Sequence, residues 1–391
     1  MPGTLLVRGA RQLLTLHGAG DPRRGSALQE LGIIRDGALL IEDGRIIEVG
    51  TSRRVENLAL AHRSQEIDAT GCVVMPGFVD CHTQLVWGAR GLDAYEASVP
   101  EAAAALRNSS GKRLESQTRR FIHSMVRHGT TSLGAEVGSE TDLRTGLKLL
   151  RVHARLHRAP VDIGSTFVAS SSAVEKPSDV LTPIHRRGLA RFASVRCDER
   201  TADVEQCRSY LEAARRLGFE LKVHAGPGQA SRAVGLAVRM GAISVEQLRE
   251  AGADDVERLA SSNTIAVLLP GSTVHYGSFA RRLIEGGAAL ALGTGFDPRT
   301  NSSYNMQTIV ALACENLGMH PAEAICAATF NAACAIGLGH IAGSLEAGKP
   351  ADLIVLNTAD YREIPRRTGV NLVQCVVKRG VTIYREGKVA R

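Results

Sequence analysis

The sequence predicts an α/β protein: a (β/α)8 TIM-like barrel over residues 76–343, with a small β-sandwich domain formed by both chain termini, 1–75 and 344–391. Three observations predict it. Apolar runs alternate with helix-periodic segments eight times through the interior, both ends of the chain read as short strands and turns, and 391 residues at 44% hydrophobic can bury a large core.

The elements follow in order. Residues 4–8, 38–49 and 65–74 read as strands, the second being a hairpin turned by Asp43-Gly44. Interior strands are predicted at 77–82, 130–136, 161–168, 190–197, 219–224, 241–246, 264–269 and 288–294. Between them, Leu114, Thr118, Phe121, Ile122, Met125 and Val126 line one helix face, and Pro321 opens a helix over 322–326. After the turn Glu346 to Pro350, residues 352–356 form a strand and 376–384 a hairpin. A doubly wound open sheet is the competing reading of the interior pattern.

Composition excludes several classes of protein. No apolar run reaches the ~18 residues of a membrane helix. Arg8, Arg11, His17 and Asp21 interrupt any signal-peptide core, so a cytoplasmic location is expected. The eight cysteines include no C-x-x-C pair and are expected as buried free thiols. Net charge is +7, but basic residues are dispersed and aromatics reach only 4%, which argues against a nucleic-acid surface and suits an anionic small molecule.

The chemistry-bearing stretch is Asp80-Cys81-His82-Thr83-Gln84, at the end of the first interior strand. Histidines at i and i+2 of a strand point to one side and offer two nitrogens to one divalent ion. Here the second position holds Gln84, a weak ligand.

Pro76 to His82, Leu221-Lys222-Val223-His224-Ala225, the run Gly343 to Leu353, and Asp360 to Pro365 with Gly369 to Val373 resemble the amidohydrolase superfamily. The last two stretches are similar to imidazolonepropionase, the ring-opening hydrolase of histidine breakdown. The resemblance covers nearly the whole chain. It implies a metal held by two histidines of the first strand, a histidine ending the fifth and an aspartate ending the eighth, and it implies a homodimer. His82 and His224 stand at two of those positions, whereas Gln84 and Gly295 occupy the others. Gln247 stands where the resemblance implies a proton-shuttling histidine.

The resemblance also maps the substrate pocket. Arg90 matches an arginine that meets a propionate, while Ser139, Ser171, Pro227 and Asp297 stand in place of a tyrosine, a histidine, a glutamate and an asparagine. Substrate-binding candidates are therefore Arg90, Ser139, Ser171, Gln247 and Asp297. Each has an ordinary reading as well. His82 and His224 serve equally as hydrogen-bonded relics, and Arg90 as a surface ion-pair residue. Asp297 reaches the histidines only through a local shift of its loop, and His275-Tyr276 is by default an exposed pair. Cys81 points away from His82 into the core. Ser170-Ser171-Ser172 lacks the Gly-x-Ser-x-Gly elbow of a serine hydrolase.

Two functions stay open. In the first, the chain is a divergent or inactive imidazolonepropionase-like paralogue that binds a small carboxylate, with no catalytic residue assigned and no cofactor beyond zinc or iron at low occupancy. In the second, it is an active hydrolase of a non-peptide C–N bond in a small cyclic amide, using a metal site rearranged around His82, His224, Asp297 and His275. No nucleic acid or membrane partner is expected for either.

Overall fold

The computed structural model describes residues 3–18, 20–88, 96–138, 141–158, 160–198, 201–248, 251–272 and 276–387. The two ends of the chain build one mixed sheet: β1 (Thr4–Leu14), β2 (Ile33–Glu42), β3 (Arg45–Thr51), β4 (Gln65–Asp68) and β5 (Val73–Pro76) come from the N-terminal end. The predicted strand 65–74 is thus two strands, separated by a turn in which Gly71 takes φ +77°. The interior supplies β6 (Phe78–Thr83), β7 (Thr130–Val137), β8 (Asp162–Val168), β9 (Phe192–Cys197), β10 (Glu220–Ala225), β11 (Ser244–Glu246), β12 (Ile265–Leu268) and β13 (Leu290–Leu292). β14 (Leu353–Leu356), β15 (Val373–Lys378) and β16 (Val381–Arg385) return to the terminal sheet.

The terminal sheet runs β16-β15-β14-β5-β1-β2-β3, with β4 on β1. Asp43 (φ +48°) and Gly44 (φ +80°) make the tight hairpin turn the sequence signals, and Arg379 with Gly380 make its counterpart. These two turns touch: a Cβ on Gly44 would lie 2.6 Å from the Arg379 carbonyl. One strongly curled sheet therefore makes the sandwich-like layer, closing Leu39, Ile41, Val355 and Val377 into a shared apolar cluster.

The eight interior strands are parallel and pair in sequence order from β6 to β13. That order excludes the doubly wound alternative, because the chain after β13 comes back to β6. Gly295 N donates to His82 O at 3.1 Å and Gln84 N to Phe296 O at 2.7 Å, which closes the barrel at its C-terminal rim. The surrounding helices follow their patterns. Helix Gly111–Arg127, capped by Ser110, buries Leu114, Thr118, Ile122, Met125 and Val126 and packs Phe121 at the core's edge. Pro321 is the first residue of helix Pro321–Ala327.

All eight cysteines are free thiols, seven of them buried. Cys81 packs in the core with its Sγ toward Leu292 O. Among the described residues, no helix is long and apolar enough to cross a membrane.

Candidate metal centre in the barrel mouth

In a parallel barrel, every second residue of a strand points inward. Inward positions near the C-terminal ends here carry Asp80 and His82 on β6, Glu136 on β7, Ser194 and Arg196 on β9, Lys222 and His224 on β10, and Ser244 and Glu246 on β11. Parallel neighbours then converge. His224 is in register with both Arg196 and Glu246.

His82, Glu136, His224 and Glu246 each present one donor atom, all four atoms lie within 4.8 Å of one another, and all four residues are buried. His224 Nε2 meets Glu136 Oε1 at 3.2 Å, and His82 Nδ1 stands 3.7 Å from the same oxygen while bonding Glu246 directly. The Lys222 ammonium lies 3.6 Å from Glu246 Oε1, and Ser244 Oγ donates to that oxygen at 3.3 Å. The Nδ1 of His224 is buried without a hydrogen-bond partner.

Electrostatics follow from these contacts. Burial by itself disfavours the charged imidazole of His82, but Glu136 and Glu246 override it and hold the ring up at about 9. Burial likewise disfavours the two carboxylates, yet the neighbouring cations win. Glu136 is lowered by His224 and His82, and Glu246 falls far below the usual carboxyl range through His82 and Lys222. Below the cluster, Asp80 accepts Thr294 N at 2.9 Å and Thr294 Oγ1 at 2.5 Å, and burial pushes it up to about 6.

Beside the cluster lies a cavity of ≈ 50 Å³ lined in part by Gln84, Trp87, Glu136, Leu149, Arg196 and His224. That is room for a few waters, or for one end of a ligand whose remainder extends out of the cavity. Gln84 is one of the lining residues, and its carbonyl accepts from Trp87 Nε1 at 2.7 Å.

The sequence-predicted residues divide as follows. His82, His224 and Gln84 come together at the mouth. Gly295 sits at φ +65°, with no side chain to offer. Gln247 follows Glu246 in a left-handed conformation (φ +61°) and is half-buried. Asp297 does not join the histidines: its Oδ1 accepts Arg299 N at 2.8 Å and it closes the turn to Asn301. Ser171 is exposed at the start of helix Ser171–Glu175. Arg90, Ser139 and His275 lie outside the described residues, whereas Tyr276 is buried with its hydroxyl accepting Leu269 N at 3.0 Å. Glu136, Glu246, Lys222 and Arg196 are what sequence reasoning missed. The signal was there in Ser194-Val195-Arg196 and Ser244-Val245-Glu246, where polar residues recur with period two inside strands otherwise apolar enough to be buried, whereas Glu136 follows Gly134-Ala135 with no such pattern.

A (β/α)8 barrel with imidazoles and carboxylates gathered at its C-terminal rim, joined to a sheet made by both chain ends, defines an amidohydrolase-type protein. A family model described as the amidohydrolase family matches residues 279–383. Imidazolonepropionases from Geobacillus kaustophilus and Symbiobacterium thermophilum are each 36% identical to this chain, over 98% and 100% of it and 99% of their own lengths. The chain belongs to the imidazolonepropionase family. Among solved structures, a triazine hydrolase variant superposes with TM-score 0.76 at 14% identity, covering 98% of this chain and 95% of its own. A molinate hydrolase does so with TM-score 0.73 at 17%, with the same coverage, and both show the shared fold.

The donor set fits a divalent ion. Two carboxylates balance its charge, and two imidazoles with two carboxylate oxygens suit zinc or iron. A tetrahedral ion with bonds of ~2.0–2.2 Å sets its ligand atoms ~3.3–3.6 Å apart, so the widest pair of donors must close by about an ångström while His82 Nδ1 and Glu246, now hydrogen-bonded to each other, must separate.

Proposed function

We propose that this chain hydrolyses a non-peptide C–N bond in a small cyclic amide, at a centre rearranged around His82, Glu136, His224 and Glu246. The observation that carries this reading is the convergence of those four buried donors within 4.8 Å, beside a cavity they share with Gln84. Glu136 and Glu246 supply the negative charge that Gly295 cannot. A divalent ion held by these four residues supplies Lewis-acid polarisation of the amide carbonyl and activation of water. The chain's own residues do the rest: the cavity admits a water beside Glu136, whose carboxylate accepts its proton, and Trp87 and Leu149 exclude bulk solvent.

One observation favours a second reading, a ligand-binding paralogue without hydrolysis. Glu246 is already met by His82 and Lys222, and Glu136 by His224, so the cluster is close to satisfied without an ion. Elemental analysis of protein purified without chelators decides between them. Near-stoichiometric zinc, iron or manganese, lost in Glu136→Gln and accompanied by ring opening of cyclic amides such as imidazolonepropionate, is expected. Metal-free protein that takes up no zinc at micromolar concentration overturns the proposal in favour of the paralogue.

A further inference from the structure

One charged group in the mouth is left over by the cluster. Arg196 is the inward residue of β9, half-buried, and lines the same cavity as Glu136, His224 and Gln84. Its Nε is buried with no hydrogen-bond partner, and among the described residues its guanidinium enters no ion pair. Both carboxylates nearby are committed elsewhere, to His82, His224 and Lys222. A partly buried guanidinium without a partner is costly unless something supplies an acceptor. The chain's own described residues do not supply one, and the cavity is where a ligand can.

We infer that Arg196 is the specificity-determining residue of this pocket, holding the carboxylate of a small acid in the cavity beside His224 and Glu136. The register sets the ligand's geometry. Arg196 and His224 are direct partners on adjacent parallel strands, ~4.8 Å apart. A carboxylate on the guanidinium therefore places the next two or three atoms of the ligand over the His224 imidazole and the Glu136 carboxylate. A planar fork matches a carboxylate in a way that a lone ammonium does not, which makes the residue type informative as well as its charge. Gln84, which lines the same cavity, offers a neutral donor and acceptor for an amide. The inference rests on the proposed reaction only for the identity of the ligand's reacting end. Carboxylate capture by Arg196 stands whether or not a metal is bound.

The test is calorimetric titration of the full chain, with and without added zinc, using propionate and glutarate as probes and propionamide as the neutral control. Wild type is expected to bind the acids and to prefer them to the amide. Arg196→Met should weaken acid binding by ~10-fold or more, the loss of a charge-assisted hydrogen bond, and leave the amide unchanged. Arg196→Lys, which keeps the charge without the fork, should fall between. Metal content measured on the same variants should not change, so a failure of carboxylate capture is distinct from a failure of the metal reading. Arg196→Gln with an unaltered melting transition serves if the methionine variant misfolds. Equal acid affinity in wild type and the Arg196 variants overturns the inference, as does the absence of any acid binding by wild type. Loss of binding in Arg90→Ala with retention in Arg196→Met also overturns it, because the anchor then lies elsewhere.

Discussion

The Lys222 ammonium lies 3.6 Å from the Glu246 carboxylate, and neither side chain exposes more than 1% of its surface. This pair sits beneath the His224 end of β10 and fixes where Glu246 points. Removing Lys222 leaves the buried Glu246 carboxylate with His82 as its remaining close cation, whereas removing both charges leaves His82 to Glu136. Lys222→Met should therefore cost ~3–5 kcal/mol in denaturant unfolding, and Lys222→Met with Glu246→Gln should recover most of that loss. Additive costs in the double variant would show that the two side chains act independently.

A second prediction concerns restoration of the rim. Gln84→His adds an imidazole on the strand that already carries His82, and zinc affinity measured by chelator competition should rise by an order of magnitude or more. Gly295→Asp should work against it. Gly295 has φ +65°, and a Cβ there would stand 3.3 Å from Leu269 Cδ1, so aspartate is strained before it can ligate. A stability loss of ~1–2 kcal/mol is expected from the left-handed backbone alone. The triple variant Gln84→His, Gly295→Asp, Gln247→His should thus bind metal more tightly than wild type yet melt earlier. Unchanged zinc affinity in the single variant Gln84→His would mean that the side chain at this position does not face the four donors.

The barrel was legible because each strand is an apolar run bounded by turns, and because Leu114, Thr118, Ile122, Met125 and Val126 repeat at helical spacing. Half the site was legible through His82 and His224. The other half was not, since a glutamate ending a short strand reads equally well as a solvent-facing residue, and only register brings Glu136 and Glu246 to the histidines. Asp297 was named for its carboxylate, but sequence distance from Gly295 said nothing of its direction. Its own turn, closed by Arg299 N, decides that. The single curl of the terminal sheet likewise depends on Gly44 meeting Arg379, a contact between opposite ends of the chain that no local pattern records.

A third prediction concerns acid. His153 is fully buried in helix Leu143–Leu156, its Nδ1 is 3.3 Å from Ser165 Oγ, and burial lowers it from the ordinary 6.5 to about 4. Above 6.5 the ring is neutral in both folded and unfolded chains, and it contributes no pH dependence. As pH falls from 6.5 towards 4, only the unfolded chain takes up the proton, so stability is lost through that window, by ~3 kcal/mol once pH is below 4. His153→Leu should remove this share of the acid limb in unfolding free energies measured between about pH 7 and 4. An identical pH profile in wild type and variant would show that His153 is hydrated or charged in the native state.

The last prediction concerns the joint between the two sheets. Lys378, at the end of β15, donates to Asp162 at 2.7 Å and to Asp352 at 2.6 Å, and Arg379 donates to the other Asp162 oxygen at 2.5 Å. Asp162 begins β8, so this network fastens the C-terminal strand to the N-terminal rim of the barrel, opposite the metal cluster. Burial disfavours the Asp162 carboxylate, but Lys378 and Arg379 hold it below the usual carboxyl range. Lys378→Met leaves Asp162 with the half-exposed Arg379 alone and strips Asp352 of its ammonium. The expected loss is ~3–5 kcal/mol, which corresponds to roughly 6–20 °C in melting temperature at ~2–4 °C per kcal/mol. Because the network is remote from the mouth, metal content and carboxylate affinity of the folded fraction should match wild type. A drop in metal content measured well below the melting transition would mean that the terminal sheet and the barrel mouth are coupled through the strands they share.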